Sequence, residues 1–304
     1  MQTTSHILMI RPVNFSFNAE TAVNNAFQSP ATDDINAQQQ GLEEFEGFVA
    51  LLKNNGVDVT VIDDTPEPYT PDSIFPNNWV SFHGDGTVCL YPMYAQNRRL
   101  ERKPEVLQQL SRNFRIRDTL DFSGYEQQDL FLEGTGSMVL DRDKKIAYAC
   151  LSPRTDRTVL SEFCEKMSYT PELFTAVDGS GKAIYHTNVM MCVGDRYVVV
   201  CLEAVPDPAE RESLIDTIRR SGKDTVTINL SQMNHFAGNM LQVHNDKGER
   251  LLVMSSQAYG SLEPAQISRL TAFNRILHAP LTTIETNGGG SARCMMAEIH
   301  LEKR

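Results

Sequence analysis

The stretch Glu133-Gly-Thr-Gly-Ser-Met-Val-Leu140 sets a short polar, glycine-rich turn directly ahead of an apolar run, and the pattern comes back four more times along the chain. The other copies are Phe75-Pro-Asn-Asn-Trp-Val-Ser-Phe82, Tyr185-His-Thr-Asn-Val-Met-Met191, Phe236-Ala-Gly-Asn-Met-Leu-Gln-Val243 and Gly290-Ser-Ala-Arg-Cys-Met-Met-Ala297. The last residues before the apolar runs are Asn78, Ser137, Asn188, Asn239 and Cys294, at intervals of 59, 51, 51 and 55. A near-constant period of this size marks a repeat architecture with one supersecondary unit per repeat.

The elements after each copy also recur. Ser137–Asp141 leads to a second β-rich run, Ile146–Leu151, a helical stretch, Asp156–Met167, and a third run, Glu172–Ala176. Asn188–Val193 leads across a Gly-Asp-Arg turn to Tyr197–Leu202, then to helix Pro208–Arg220, stopped by Gly222, and to strand Thr225–Leu230. The fourth unit reads as strand Asn239–Val243, strand Arg250–Met254, helix Pro264–His278 and strand Leu281–Glu285. Gly84-Asp-Gly86 and Asn245-Asp-Lys-Gly248 signal hairpin turns. At the N-terminus, apolar spacing predicts strand His6–Ile10, helix Ile35–Lys53 and strand Val57–Ile62, with the Pro-rich Asp63–Asn78 as a long loop. The last run, Cys294–Leu301, is a strand that would pair with His6–Ile10 and close a ring.

Five strand–strand–helix–strand units point to an α/β fold built by radial repetition, since closure removes exposed sheet edges. No linker or low-complexity stretch divides the chain, so residues 1–304 read as one domain. The competing reading is an ordinary two-domain α/β protein whose repeats are coincidence.

Hydrophobic residues make up 41% of the 304 and charged ones 22%, which suits a soluble globular chain. Acidic residues outnumber basic ones 39 to 28, giving a net charge of -11 that repels phosphate backbones and anionic lipid. Arg98, Arg99, Arg102 and Lys103 form one short basic cluster, too little to suggest a nucleic-acid partner. No apolar run approaches the ~20 residues of a membrane span, and Ile7–Ile10 is too short for a signal peptide. Six cysteines without Cys-x-x-Cys spacing suit a reducing cytoplasm rather than a disulfide framework. The expectation is a cytoplasmic protein with neither nucleic-acid nor membrane partners.

In a radial fold, equivalent positions of successive repeats converge on the axis. The five copies would then bring Asn77 and Asn78, Glu133, His186 and Asn188, Gly238 and Asn239, and Cys294 into one cleft. A thiol, an imidazole and a carboxylate are the parts of a covalent hydrolase site. Cys294 is the candidate nucleophile because three glycines, Gly288 to Gly290, allow close approach of backbone and substrate, and Arg293 beside it would favour the thiolate. Cys89, Cys150, Cys164, Cys192 and Cys201 sit in apolar strands or a helix and read as small buried hydrophobes. His235, three residues before Gly238, is a second-rank candidate; the other histidines read as structural. No Cys/His spacing makes a zinc site, so no metal is expected.

Pro71-Asp-Ser-Ile-Phe75, Phe131-Leu-Glu-Gly134, His186-Thr-Asn188 and Gly288-Gly-Gly-Ser-Ala-Arg-Cys-Met295 together resemble the guanidino-group-modifying enzymes, which include arginine deiminase, dimethylarginine dimethylaminohydrolase and the amidinotransferases. The resemblance runs from His6 to Leu301 and is nearest to the citrulline-utilisation hydrolase branch. It implies the α/β-propeller (pentein) fold, with five pseudo-symmetric ββαβ modules around a central axis. It also implies no cofactor, a small amino-acid substrate and covalent catalysis. Carried over residue by residue, it makes Cys294 the nucleophile, His186 the general acid/base and Glu133 the carboxylate that holds the reacting group and orients the histidine. Asp72 matches an aspartate of the first motif. Arg98 and Arg154 fall where relatives hold the amino-acid end of the substrate; a planar guanidinium fork suits a carboxylate.

Two departures bear on the substrate. Guanidine hydrolases end the first motif with acidic residues, whereas this chain has Asn77-Asn78. Arginine deiminases carry an aspartate two residues after the histidine, whereas this chain has Asn188. A buried guanidinium without carboxylate partners is an unpaired charge costing several kcal/mol, while an amide offers a neutral ureido group both a donor and an acceptor. These positions therefore favour citrulline over arginine, with Glu133 the one retained carboxylate. The rival readings are an arginine or methylarginine hydrolase, an amidinotransferase, and a non-catalytic binding protein on the same ring.

Overall fold

The computed structural model describes residues 1–29 and 36–304. Its fifteen described strands form five three-stranded sheets. Four are contiguous in sequence: β3 (Val80–Phe82), β4 (Thr87–Leu90) and β5 (Asp118–Asp121); β6 (Met138–Asp141), β7 (Ile146–Leu151) and β8 (Thr170–Thr175); β9 (Met191–Val193), β10 (Tyr197–Val200) and β11 (Asp224–Thr227); β12 (Leu241–His244), β13 (Arg250–Ser255) and β14 (Arg275–Ala279). The fifth joins the chain ends: β1 (His6–Arg11) runs parallel to β2 (Asp58–Asp63) and antiparallel to β15 (Ala297–Glu298), with Ile7 opposite Glu298 and Leu8 opposite Ala297. In every sheet the inner strand is antiparallel to the middle one and the outer strand parallel to it. The pseudo-fivefold ββαβ architecture is therefore the observed one, and the terminal strand closes it.

The crossover helices form where local signals agree. Asp156 caps helix Arg157–Met167 by accepting from the Thr158 and Val159 amides, and the helix buries Val159, Leu160, Phe163, Cys164 and Met167 along one face. Helix Pro208–Ser221 is capped by Asp207, carries proline in its first turn and ends at Gly222, whose φ of 78° is the left-handed geometry that favours glycine. Helix Ala37–Asn54 matches the predicted Ile35–Lys53 except at its start, since Ile35 lies outside the described residues.

The fourth unit departs from its prediction. Its helix stops at Thr271, and Arg275–Ala279, predicted as helical, is strand β14. Exposed His278 stands between buried Leu277 and Ala279, as on a strand with one covered face. The predicted strand Leu281–Glu285 lies instead at the start of helix Thr282–Gly288. That helix begins where the carboxylate of Glu44, from a remote helix, accepts from the Thr283 and Ile284 amides at 2.8 and 3.0 Å. The cap is tertiary, so no local signal announces it. The predicted strand Cys294–Leu301 shrinks to Ala297–Glu298, because the Cys294 amide turns back to the Ser291 carbonyl at 2.9 Å. The predicted strand Thr225–Leu230 likewise ends at Thr227, and Leu230 instead begins helix Leu230–Asn234, capped by Asn229.

The inner strands pack across module boundaries: β3 against β15, β6 against β9, β9 against β12. Leu8 is fully buried in the seam, in one cluster with Trp79, Val80, Ala297 and Ile299. Leu8→Ala should cost about 2–5 kcal/mol, measured as a lowered urea midpoint at unchanged slope; a loss within error would show that ring closure does not depend on this contact.

Candidate active site

The turn ahead of each inner strand supplies the candidate residues. Asn77 and Asn78 lie in Pro76–Asn78 before β3, Glu133 precedes the turn Gly134–Ser137 before β6, His186 and Asn188 precede β9, Asn239 precedes β12, and Cys294 precedes β15. A small, nearly filled cavity of about 10 Å³ is lined by Asp72, Asn78, Arg98, Arg154, His186 and Cys294, together with the three-glycine loop. Residues far apart in sequence thus meet because their modules are related by rotation.

Glu133 and His186 form the tightest polar pair. Glu133 Oε2 stands 2.7 Å from His186 Nε2, and Oε1 accepts the Tyr94 amide at 2.9 Å. The carboxylate is 0% exposed. Burial alone would raise its pKa, but Arg154 and the bond to His186 hold it well below the usual range. Burial pushes His186 down to about 4, against the opposing pull of Glu133. At neutral pH the pair is therefore carboxylate and neutral imidazole, with Nε2 carrying the ring proton and Nδ1 its lone pair. Gly136 makes room for it: a Cβ there would stand 2.7 Å from His186 Nδ1 and 2.4 Å from Asn78 Nδ2.

Two amides reach the thiol. Asn188 Nδ2 lies 3.4 Å and Asn239 Nδ2 3.3 Å from Cys294 Sγ. Asn239 is itself held, donating to the Asn188 carbonyl and accepting the Arg293 amide at 3.0 Å each. The sequence placed Asn239 on the axis without giving it a task; the contact to sulfur supplies one. Asn188 Oδ1 is buried with no hydrogen-bond partner among the described residues. Asn77 stands behind Asn78, accepting from it at 3.1 Å.

The two arginines differ in their partners. Arg98 grips Glu101 with Nε and Nη2 at 2.8 and 2.9 Å and Asn78 Oδ1 with Nη1 at 2.8 Å. Its fork is committed to a buried carboxylate. Arg154 donates to neutral groups, Asn24 Oδ1 at 2.8 Å from Nε and the Thr21 carbonyl at 2.8 Å from Nη2, and lies 3.5 Å from Glu133. Asp72 Oδ2 accepts from Asn18 at 2.8 Å, whereas Oδ1 is buried without a partner among the described residues. Asn18, Thr21, Asn24 and Asn25 belong to a segment that covers the cavity, and nothing in the sequence repeats singled it out. A run of polar residues between a strand and a helix was the available signal.

Two secondary expectations change. The Arg293 guanidinium points to Glu298 and the Met296 carbonyl, at 2.6 and 2.8 Å, so its charge is spent away from the thiol. His235 is exposed at the end of a short helix and is absent from the cavity wall. The basic cluster is internally neutralised: Arg98 by Glu101, Arg99 and Arg102 by Glu126, and Lys103 by Asp64. The other five cysteines are buried, and burial raises the thiol of each, to about 11 in Cys150 and Cys201 and about 12 in the rest. Among the described residues no helix is long and apolar enough to cross a membrane, and no His/Cys/Asp/Glu group is arranged to hold a metal.

Residues 11–301 match the family described as N,N dimethylarginine dimethylhydrolase, eukaryotic. No curated protein sequence matches. Among solved structures, the chain is similar to apo ArgZ, an arginine dihydrolase from the ornithine-ammonia cycle in cyanobacteria, with a TM-score of 0.77 at 18% identity over 97% of this chain. It spans only 40% of that chain. It covers 97% of the ArgZ N-terminal domain, solved as a cysteine-to-serine mutant bound to substrate, with a TM-score of 0.76 at 17% identity. A dimethylarginine dimethylaminohydrolase adduct with 4-chloro-2-hydroxymethylpyridine is similar over 98% of this chain and 100% of its own, with a TM-score of 0.65 at 14% identity. At these identities the likeness speaks for the fold.

One further buried group supports the thiol-bearing loop. Glu285 Oε1 accepts the Ser291 hydroxyl at 2.5 Å, and the Ser291 carbonyl accepts the Cys294 amide. Burial raises Glu285 to about 7. Its folded-state pKa thus exceeds the unfolded value, so the folded chain holds the extra proton and loses stability as pH rises from about 4.5 to 7. Glu285→Gln removes that titration, and Tm measured across this window should fall less steeply with pH than in the parent. An identical pH dependence would mean that Glu285 does not titrate there.

Proposed function

We propose, for a chain that belongs to the N,N dimethylarginine dimethylhydrolase family of the guanidino-group-modifying superfamily, a cysteine-dependent hydrolase of the C–N bonds of a ureido or guanidino amino acid, with citrulline as the preferred substrate. The family consists of hydrolases acting on carbon–nitrogen bonds. The observation that carries the citrulline reading is the pair of amides at the thiol: both side chains that donate to Cys294 Sγ, at 3.3 and 3.4 Å, are neutral asparagines. A ureido carbon with its neutral NH₂ fits there without an unpaired charge.

The mechanism is built from this geometry. His186, neutral and held by Glu133, accepts the Cys294 proton, and Sγ attacks the ureido carbon. His186 then protonates the departing Nδ as the C–N bond breaks, releasing ornithine and leaving an S-carbamoyl adduct. Water, deprotonated by His186, breaks the C–S bond. The departing Sγ takes this proton back from His186, restoring the thiol and the neutral imidazole, and the carbamic acid released decomposes to ammonia and carbon dioxide. Each citrulline consumed takes one water.

Arg154 is the better candidate than Arg98 for the substrate carboxylate. A carboxylate replacing Asn24 and Thr21 on Arg154 exchanges neutral partners for a charged one, which strengthens the hydrogen bonds. The same exchange at Arg98 would strand the buried Glu101 carboxylate. A second reading is favoured by Asp72 Oδ1, a buried carboxylate oxygen without a partner among the described residues, on the cavity wall. It gives a guanidinium one acid to pair with, and arginine taken to ornithine would pass through the same ureido chemistry.

Ammonia and ornithine should be measured with citrulline and with arginine at equal concentration. The expected result is one ammonia and one ornithine per citrulline, with Cys294→Ser inactive. Faster turnover of arginine would reject the amide argument, and near-parent activity in Cys294→Ser would reject the nucleophile. Arg154→Gln loses charge-assisted hydrogen bonds worth about 1.5–3 kcal/mol. By that figure kcat/KM should fall about 10- to 150-fold, chiefly through KM; an unchanged KM would place the carboxylate elsewhere.

A further inference from the structure

The inner strands have a second end. The catalytic side chains precede these strands, whereas His83 directly follows β3, Arg142 directly follows β6, His244 closes β12 and His300 lies two residues past β15. These four, with His6 and Lys145, line a depression of about 430 Å³ at the opposite end of the axis from the thiol. The first residues of the chain cross it, with Gln2 donating to the Leu140 and Val193 carbonyls at 3.0 and 3.1 Å.

Its polar groups are undersupplied with acceptors. The side chains of Arg142 and His300 are 7% and 8% exposed, and Arg142 Nε and His300 Nε2 are buried without a hydrogen-bond partner among the described residues. Both approach the same oxygen, Glu298 Oε1, but at 3.6 and 3.7 Å, outside hydrogen-bond range. Glu298 is neutralised from its other side by Arg293 at 2.6 Å. His83, also buried, bonds Ser81 Oγ at 2.8 Å and meets Arg142 Nη1 at 3.4 Å. Lys145 adds a cation at the rim, and the Met1 amine lies 3.0 Å from Asp143. Asp85 is the opposing carboxylate on the wall. Arg142, Lys145 and the Met1 amine are matched in number by Asp85, Asp143 and Glu298, so what the depression lacks is acceptors for its N–H donors rather than negative charge. A buried donor without an acceptor is costly, and an oxygen-rich anion removes that deficit.

We infer that this basal depression is a binding site for a small oxyanion, with Arg142 and His300 as its principal ligands and Lys145 at its rim. Phosphate and carboxylate ligands share the required chemistry, charge with several acceptor oxygens. The site is independent of the catalytic reading. Burial and Arg142 now hold both His83 and His300 below the ordinary histidine range, and a bound anion opposes that effect, so occupancy has a titration signature.

The full-length protein should be titrated with inorganic phosphate and, separately, with acetate at constant ionic strength. Histidine ring resonances report the site, and excess ornithine, which is not turned over, keeps the catalytic cavity occupied. Saturable binding that raises the pKa of His83 and His300 is expected. Arg142→Gln and His300→Gln should each weaken it by about tenfold or more, with unchanged circular dichroism in the absence of ligand. Preference for phosphate or for acetate identifies the ligand class. Shifts that do not saturate with either ion, or that persist undiminished in both variants, would overturn the inference.

Discussion

A carboxylate with no access to water, Glu133, sets the terms for everything around it. An ionised group buried this completely is tolerated only if donors and counter-charges surround it. Here the donors arrive from three directions: His186 from the next module, Arg154 from the turn beyond β7, and the Tyr94 amide from the loop after β4. Satisfying that charge orients the imidazole, fixes its tautomer and pins Arg154 at the cavity wall. The acid thus organises the cleft and dictates which ring nitrogen of its histidine carries the proton.

Those directions exist only because the ring is closed. Each module presents one turn to the axis, and the fifth module is assembled from the two chain ends, β1 and β15. Cys294 lies three residues before β15, so the pairing that completes the architecture also delivers the sulfur. The Gly134 φ of 48° and the contact of a would-be Cβ there with the Asn77 carbonyl at 2.4 Å show how tightly neighbouring turns are nested. The same closure gives the axis its two polar ends, one lined by amides and a thiol, the other by imidazoles and a guanidinium. The segment Asn18–Gln28 ties into the first end by bonds to Asp72, Arg154 and the carbonyls of Asn287 and Gly289. These contacts join three modules through side chains and backbone carbonyls that are otherwise remote in sequence.

The repeat count, the order of elements in most modules and the roster of axial residues were all legible in the amino acids alone. Period and apolar alternation are one-dimensional signals that survive without coordinates. Local reading failed where a remote group overrode local preference. Thr282–Gly288 became a helix because Glu44 caps it from another part of the ring, and Arg275–Ala279 became a strand because β13 offers it a parallel partner. How the charges are shared was decided by tertiary structure only. Arg98 and Arg154 look alike in sequence, yet one is locked to Glu101 and the other is shared between neutral Asn24 and the more distant Glu133; Arg293 sits beside the thiol in sequence, yet its guanidinium turns to Glu298. Such choices depend on which acceptor lies within about 3 Å of a flexible side chain, a distance that exists only after the chain has closed on itself.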